Sequence, residues 1–127
     1  MAPPPVRPNR GASASGPSYE AWLETTGGYT AGGSGSVTAV LNAKAPYKCN
    51  TQYPYKFTLD APPAGITYPS SVVKGMRVDG KHASMSIPLA ATAAGSHPIG
   101  GTLSFSTCTE DKCLVDKVHL VVAVDVR

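Results

Sequence analysis

The stretch that most constrains this chain is Leu103–Val126, LSFSTCTEDKCLVDKVHLVVAVDV, two runs of strand character around a polar tip. Before the tip, Leu103 and Phe105 share one face, while Ser104, Ser106 and Cys108 share the other. After it, Val118, Leu120, Val122, Val124 and Val126 form an apolar face opposite Cys113, Lys117 and His119. Side chains alternate along a strand, so both sulfurs are expected together on the face turned away from the core. Facing residues of an antiparallel pair lie about 4.5–5.5 Å apart at Cα, inside the roughly 4.4–6.8 Å that a disulfide tolerates. The Cys108–Cys113 pair can therefore close without moving the backbone. Loop-closure entropy for about six residues amounts to roughly 2 kcal/mol, a small return in a hairpin already held by its ladder. Two readings stay open: a redox pair, or an inert hairpin disulfide in an extracytoplasmic β domain.

The same period of two recurs upstream. Val37, Ala39, Leu41 and Ala43 alternate with Thr38, Val40, Asn42 and Lys44, the pattern of a half-buried strand. Tyr53, Tyr55, Phe57 and Leu59 alternate with Pro54, Lys56, Thr58 and Asp60, and Pro54 puts the start of that strand at an edge or bulge. Asp60–Gly65 is a turn. Ser71–Val78 and Lys81–Leu89 read as a hairpin about Asp79-Gly80, a pair that type I′ turns favour. Ala91–Ser96 is a loop, and His97–Thr107 a strand with Gly100-Gly101 as its bulge. Six or seven short strands without a helix predict an all-β fold, an immunoglobulin-like antiparallel β-sandwich; a small barrel is the alternative.

The sandwich is expected over residues 36–127. Residues 1–35 read as a flexible tail or linker rich in Pro, Gly and Ser. Within it, residues 1–18 hold almost nothing to bury and are expected to be disordered. Tyr19–Leu23 is a brief apolar patch suited to a turn of helix or an edge contact, with Trp22 packing on the sandwich. Thr25–Ser36 is a second glycine-rich joint. No stretch reaches the roughly 18 consecutive apolar residues of a membrane span, so direct membrane insertion is not expected. The N-terminus lacks the apolar core of a signal peptide. The chain is read as a mature region of a periplasmic or envelope protein, cut from its export signal or lipid anchor. The net charge of +3 is spread over single lysines and arginines. No basic run interleaves with aromatics, which excludes a nucleic-acid surface.

Several constellations are weaker than they look. Met76, His82 and Met85 invite copper(I), but a turn at Asp79-Gly80 pairs Met76 with Ala83 and Arg77 with His82. The methionines then share a face without the histidine, and read as core filler. The three cysteines and three histidines lack the paired spacing of a zinc site, so no metal or other cofactor is expected. His119 reads as a solvated strand residue, and Glu110 and Asp111 as a polar tip. No Ser-His-Asp order, phosphate loop or nucleotide fingerprint is present. Lys112 stands against Glu110, Asp111 and Asp116, so the field at the tip is slightly negative and disfavours a thiolate. Such a pair suits a passive relay attacked by a partner's low-pKa thiolate. Cys49 is read as a buried free thiol, an intermolecular bridge, or a partner of Cys108 or Cys113. The local pairing Cys108–Cys113 is preferred for its parity.

Cys108-x4-Cys113-Leu after the Leu103-Ser-Phe-Ser strand, closing an all-β domain, resembles the N-terminal periplasmic domain of the bacterial thiol–disulfide transporter DsbD. Tyr47-Lys-Cys-Asn-Thr-Gln-Tyr53-Pro-Tyr-Lys-Phe57 resembles that family's early strand and bend, and the resemblance covers roughly residues 36–127. It implies an immunoglobulin-like domain whose exposed cysteines, here Cys108 and Cys113, pass electrons between a membrane-embedded reductase and thioredoxin-fold partners. Tyr68 is the nearest counterpart of the aromatic cap that shields the family's sulfurs. The competing expectation is a non-catalytic binding or structural domain of a bacterial envelope protein, its hairpin disulfide inert.

Overall fold

The computed structural model describes residues 11, 13–25 and 28–127. Its described residues form strands and turns, with two antiparallel sheets packed face to face. In chain order the strands are β1 (Ala14–Ser15), β2 (Tyr19–Thr25), β3 (Ser34–Ala43), β4 (Lys48–Cys49), β5 (Lys56–Leu59) and β6 (Ile66–Thr67). They continue as β7 (Val72–Lys74), β8 (Arg77–Asp79), β9 (His82–Ala91), β10 (Gly95–Cys108) and β11 (Cys113–Val126). Six of these span four residues or more, matching the expected six to seven; the others are two or three residues long.

The first sheet runs β1-β2-β3-β9-β6, with β8 also on β9. The second runs β11-β10-β5-β7, with β4 also on β10. The orders β2-β3-β9-β8 and β11-β10-β5 correspond to the ABED and GFC sheets of an immunoglobulin-type sandwich, with β7 added beside β5. The fold is therefore the expected immunoglobulin-like β-sandwich. Alternation decides the core. Val37, Ala39 and Leu41 from β3, Ala83, Met85, Ile87 and Leu89 from β9, and Leu103, Phe105, Leu120 and Val122 from β10 and β11 are all buried between the sheets. The ring of Tyr19 meets Phe105 edge-on at 4.6 Å, tying β2 to β10 across the sandwich.

The sandwich begins upstream of residue 36, which corrects the linker expectation. Tyr19, Ala21, Leu23 and Thr25 point inward and are buried, and β2 pairs with β3 from Tyr19↔Ala43 to Thr25↔Val37. Trp22 faces the other way, opposite Val40, and both are buried on the outer side of that sheet. Two aromatics on opposite faces hid the alternation. Ala14–Ser15 pairs with β2, and the rest of residues 1–13, apart from Gly11 and Ser13, lies outside the described residues. The second expected joint is tied in as well. Tyr29 is buried, its hydroxyl donates to the Ser36 carbonyl at 2.6 Å, and Gly32 N donates to the Ala91 carbonyl at 2.8 Å. Thr26 and Gly27 of that joint lie outside the described residues.

One turn, one strand and one bulge differ from expectation. The β8–β9 hairpin pairs Asp79 with His82, so its central residues are Gly80 and Lys81. Gly80 has φ +61 and Lys81 has no positive φ, the signature of a type II′ turn with glycine first. Residues 71–78 are not one strand: β7 joins the second sheet and β8 the first, the chain crossing at Gly75 with φ +86. No bulge interrupts β10, whose register with β11 is unbroken from Gly95↔Val126 to Cys108↔Cys113. The glycine doublet serves close approach instead. A Cβ on Gly101 would stand 2.4 Å from Phe57 Cε1 and 2.5 Å from the Thr58 carbonyl oxygen. On the opposite face, a Cβ on Gly100 would stand 3.0 Å from Asp60 Oδ2, which crosses β10 there to reach His119.

Candidate functional site

The tip of the β10–β11 hairpin holds the site. Thr109 N donates to the Lys112 carbonyl at 2.8 Å, and the Thr109 hydroxyl oxygen accepts from Lys112 N at 3.2 Å and Asp111 N at 3.3 Å. A four-residue turn closed at Thr109 and Lys112 makes Cys108↔Cys113 the next pair along. That pair carries no ladder hydrogen bond, the kind at which antiparallel backbones come nearest. Its Cα atoms are 4.0 Å apart, and the sulfurs are bonded at 2.07 Å with a dihedral of 107°. The bond sits on the outward face with Val115, Lys117 and His119, as parity predicted. Cys113 is exposed and Cys108 half-buried.

Strand β4 flanks the pair and resolves the third cysteine. Lys48 lies opposite Cys108 and Cys49 opposite Thr107. Residues opposite one another share a face, so Lys48 stands outside beside Cys108 while Cys49 points into the core with Thr107. Cys49 is 4 % exposed and forms no disulfide. Burial pushes its thiol up to about 11, against a smaller lowering by a hydrogen bond from the Ala43 backbone. The sheet itself stands between this thiol and the disulfide. Of the alternatives left open for Cys49, the structure has the buried free thiol.

Asn50 is the site residue that sequence reasoning missed. Its backbone N donates to the Ser106 carbonyl at 3.1 Å, and its side-chain Nδ2 lies 3.3 Å from Ser106 Oγ and 4.0 Å from Cys113 Sγ. The Asn50 carboxamide oxygen accepts from Gln52 N at 2.9 Å, an Asx turn that sets the side chain. The Tyr55 hydroxyl lies 2.6 Å from the Asn50 carbonyl and 2.9 Å from the Ser106 carbonyl, anchoring the bend to β10. Burial raises the Tyr55 phenol far above its usual value, so it stays a hydrogen-bond donor. An Asn-x-Gln after a strand end is a turn signal, but nothing local says that the turn folds over a cysteine 63 residues along the chain. An open groove of about 490 Å³ adjoins the disulfide, lined by Pro46, Lys48, Cys108, Thr109, Glu110 and Asp111. One cation faces two carboxylates there.

The remaining candidates disperse. Met85 is buried in the core and Met76 packs against it, while His82 lies exposed on the opposite face with Nδ1 2.7 Å from Asn42 Oδ1. His97 Nε2 lies 2.9 Å from the Ala93 carbonyl. His119 is half exposed but not merely solvated, since its Nε2 lies 2.6 Å from Asp60 Oδ2. Among the described residues, no three of His, Cys, Asp and Glu converge as metal ligands would. Tyr68 does not cap the sulfurs. It follows Thr67, which pairs with Ala90 at one end of β9, whereas the disulfide lies beyond the other end, where Cys49 N donates to the Gly80 carbonyl. No protein-family model matches this chain, and no curated protein matches it in sequence.

Proposed function

We propose that this domain is an extracytoplasmic thiol–disulfide exchange module, relaying electrons through Cys108–Cys113 to or from a thioredoxin-fold partner. The observation that carries the reading is a disulfide at the tip of the β10–β11 hairpin, on its outward face, with Cys113 an exposed residue. The residues around the pair also resemble the DsbD N-terminal domain, as set out above. Disulfides persist in oxidising compartments, which fits a periplasmic or envelope setting. The membrane-embedded reductase implied by that resemblance would be a second partner.

The exposed Cys113 is the sulfur first attacked. A partner thiolate forms a bond to Cys113 Sγ, the Cys108–Cys113 bond breaks, and Cys108 leaves with the electron pair and takes up a proton. The partner's second thiolate then attacks its own sulfur in the mixed disulfide and releases Cys113, which is protonated in turn. Two electrons and two protons have passed to this chain, and the partner ends as a disulfide. The reverse sequence runs the other way. Because the tip carries Glu110 and Asp111 beside the pair, this chain is the passive member and the partner supplies the reactive thiolate.

Two measurements test this. A Cys108→Ala variant whose Cys113 is activated as a mixed disulfide with thionitrobenzoate is expected to expel that group and trap a mixed disulfide with a thioredoxin lacking its second cysteine, and Cys113→Ala, activated at Cys108, to trap none. Titration in glutathione buffers is expected to place the native bond above about −300 mV, the level below which structural disulfides typically lie. A lower potential, together with no reduction by thioredoxin, makes the bond an inert staple of a binding domain and overturns the reading.

A further inference from the structure

We propose that the outward face of the second sheet docks on an anionic lipid bilayer. The pairing Lys74↔Lys56, Lys56↔Ser104 and Ser104↔Lys117 sets three lysines in one row across β7, β5, β10 and β11. Directly opposed residues share a face, so all three ammoniums leave the same side, and all three residues are exposed. With strands about 4.8 Å apart, the row spans roughly 14 Å. Like charges directly opposite one another destabilise a sheet, yet Lys56 faces Lys74. Among the described residues, none of the three has a carboxylate within ion-pair distance; the ion pair on this face joins His119 to Asp60. Asp125 shares the face only at the far end of β11, and Glu110 and Asp111 lie beyond the row at the hairpin tip.

A second observation concerns apolar surface. Val115 is 63 % exposed and Val121 42 % exposed, two of the three large hydrophobic side chains that are exposed among the described residues. Both have the parity of Lys117, so they flank the row on the same face. Between them lie small polar residues, Thr58, Thr102 and Ser104, and beside the row an open groove of about 410 Å³ is lined by Tyr53, Pro54, Tyr55, Lys56, Lys74 and Gly75. A broad face that mixes cations with exposed valines suits headgroups above and acyl surface below. Protein interfaces are instead depleted in lysine and enriched in arginine and aromatics, and single-stranded nucleic acid needs aromatic platforms. No arginine stands in the row, and of the two tyrosines beside it Tyr55 is buried and Tyr53 packs edge-on against it at 5.2 Å, which leaves no open stacking platform. Cys113 stands on the same face at the tip, so a docked domain carries its disulfide beside the bilayer. The inference does not depend on the disulfide being exchanged.

The test is co-sedimentation of the full chain with vesicles of phosphatidylcholine alone or phosphatidylcholine mixed with phosphatidylglycerol. Binding is expected only to the anionic vesicles, and to vanish near 1 M salt, where the screening length falls to about 3 Å. Each of Lys56→Gln, Lys74→Gln and Lys117→Gln is expected to weaken partitioning about fivefold. Lys44→Gln with Lys81→Gln, on the other sheet, is expected to leave it unchanged, and thermal unfolding checks that each variant is folded. Equal binding to both vesicle types, an equal loss in the Lys44/Lys81 variant, or binding to heparin or polyglutamate with vesicles left unbound would each overturn the proposal.

Discussion

Cys49 and Cys108 belong to neighbouring ladder positions, yet the pleat sends one sulfur into the core and the other to water. The consequence is measurable. Native protein with its disulfide intact is expected to react with no thiol reagent at neutral pH, and to offer one thiol per chain once unfolded. Burial raises the Cys49 thiol from its usual value near 9 to about 11, so the folded state holds that proton more tightly than the unfolded one. Between those values the native protein binds more protons, and stability falls as pH rises. Below about pH 9 this contribution is complete; by pH 11 about 2 kcal/mol is expected to be lost, with Tyr55 acting in the same direction. Urea unfolding midpoints from pH 8 to 11 check the slope, and Cys49→Ala should flatten part of it.

At the level of elements, the β10–β11 hairpin stands on fourteen consecutive pairs, of which Cys108↔Cys113 is the last. The bond closes a loop of about six residues, which contributes roughly 2 kcal/mol by chain entropy. Cys108→Ser with Cys113→Ser is therefore expected to fold, with an unchanged far-ultraviolet spectrum and an unfolding free energy, read from denaturant titration, lower by about 2 kcal/mol. A variant that fails to fold would mean the hairpin needs its staple. The faces of β3, β5, β9, β10 and β11 were legible because alternation is a local property. Turn registers were not. The β8–β9 turn falls one residue later than Asp79-Gly80 suggested, yet the paired positions shift by two. A shift of two preserves faces where a shift of one would invert them, which is why Met76 and Met85 still share the core side. Gly100-Gly101 carries the same lesson, since a glycine pair reads equally as a bulge or as room for Phe57 and Asp60.

For the whole molecule, the segment that looked like a linker is a wall of the core. Removing residues 1–35 would strip Tyr19, Ala21, Leu23 and Tyr29 from the buried set and leave β3 without a neighbour on one side. The 36–127 fragment is expected to lack a cooperative thermal transition, while the full chain unfolds in one step. A stable 36–127 fragment would show that β2 is dispensable. The candidate site belongs to this scale too. Asn50 reaches Cys113 only because β4 pairs with β10, and the lysine row exists only because β7, β5, β10 and β11 are aligned side by side.

What the residues alone determined is which side chains of β3, β5, β9, β10 and β11 face inward and that Cys108 and Cys113 meet, because pleat parity and a short hairpin are settled within a few positions of the chain. What only the folded arrangement decided is which distant strands lie beside one another. That depends on packing two sheets, and it isolates Cys49, brings Asn50 to the disulfide, and gathers three scattered lysines onto one face.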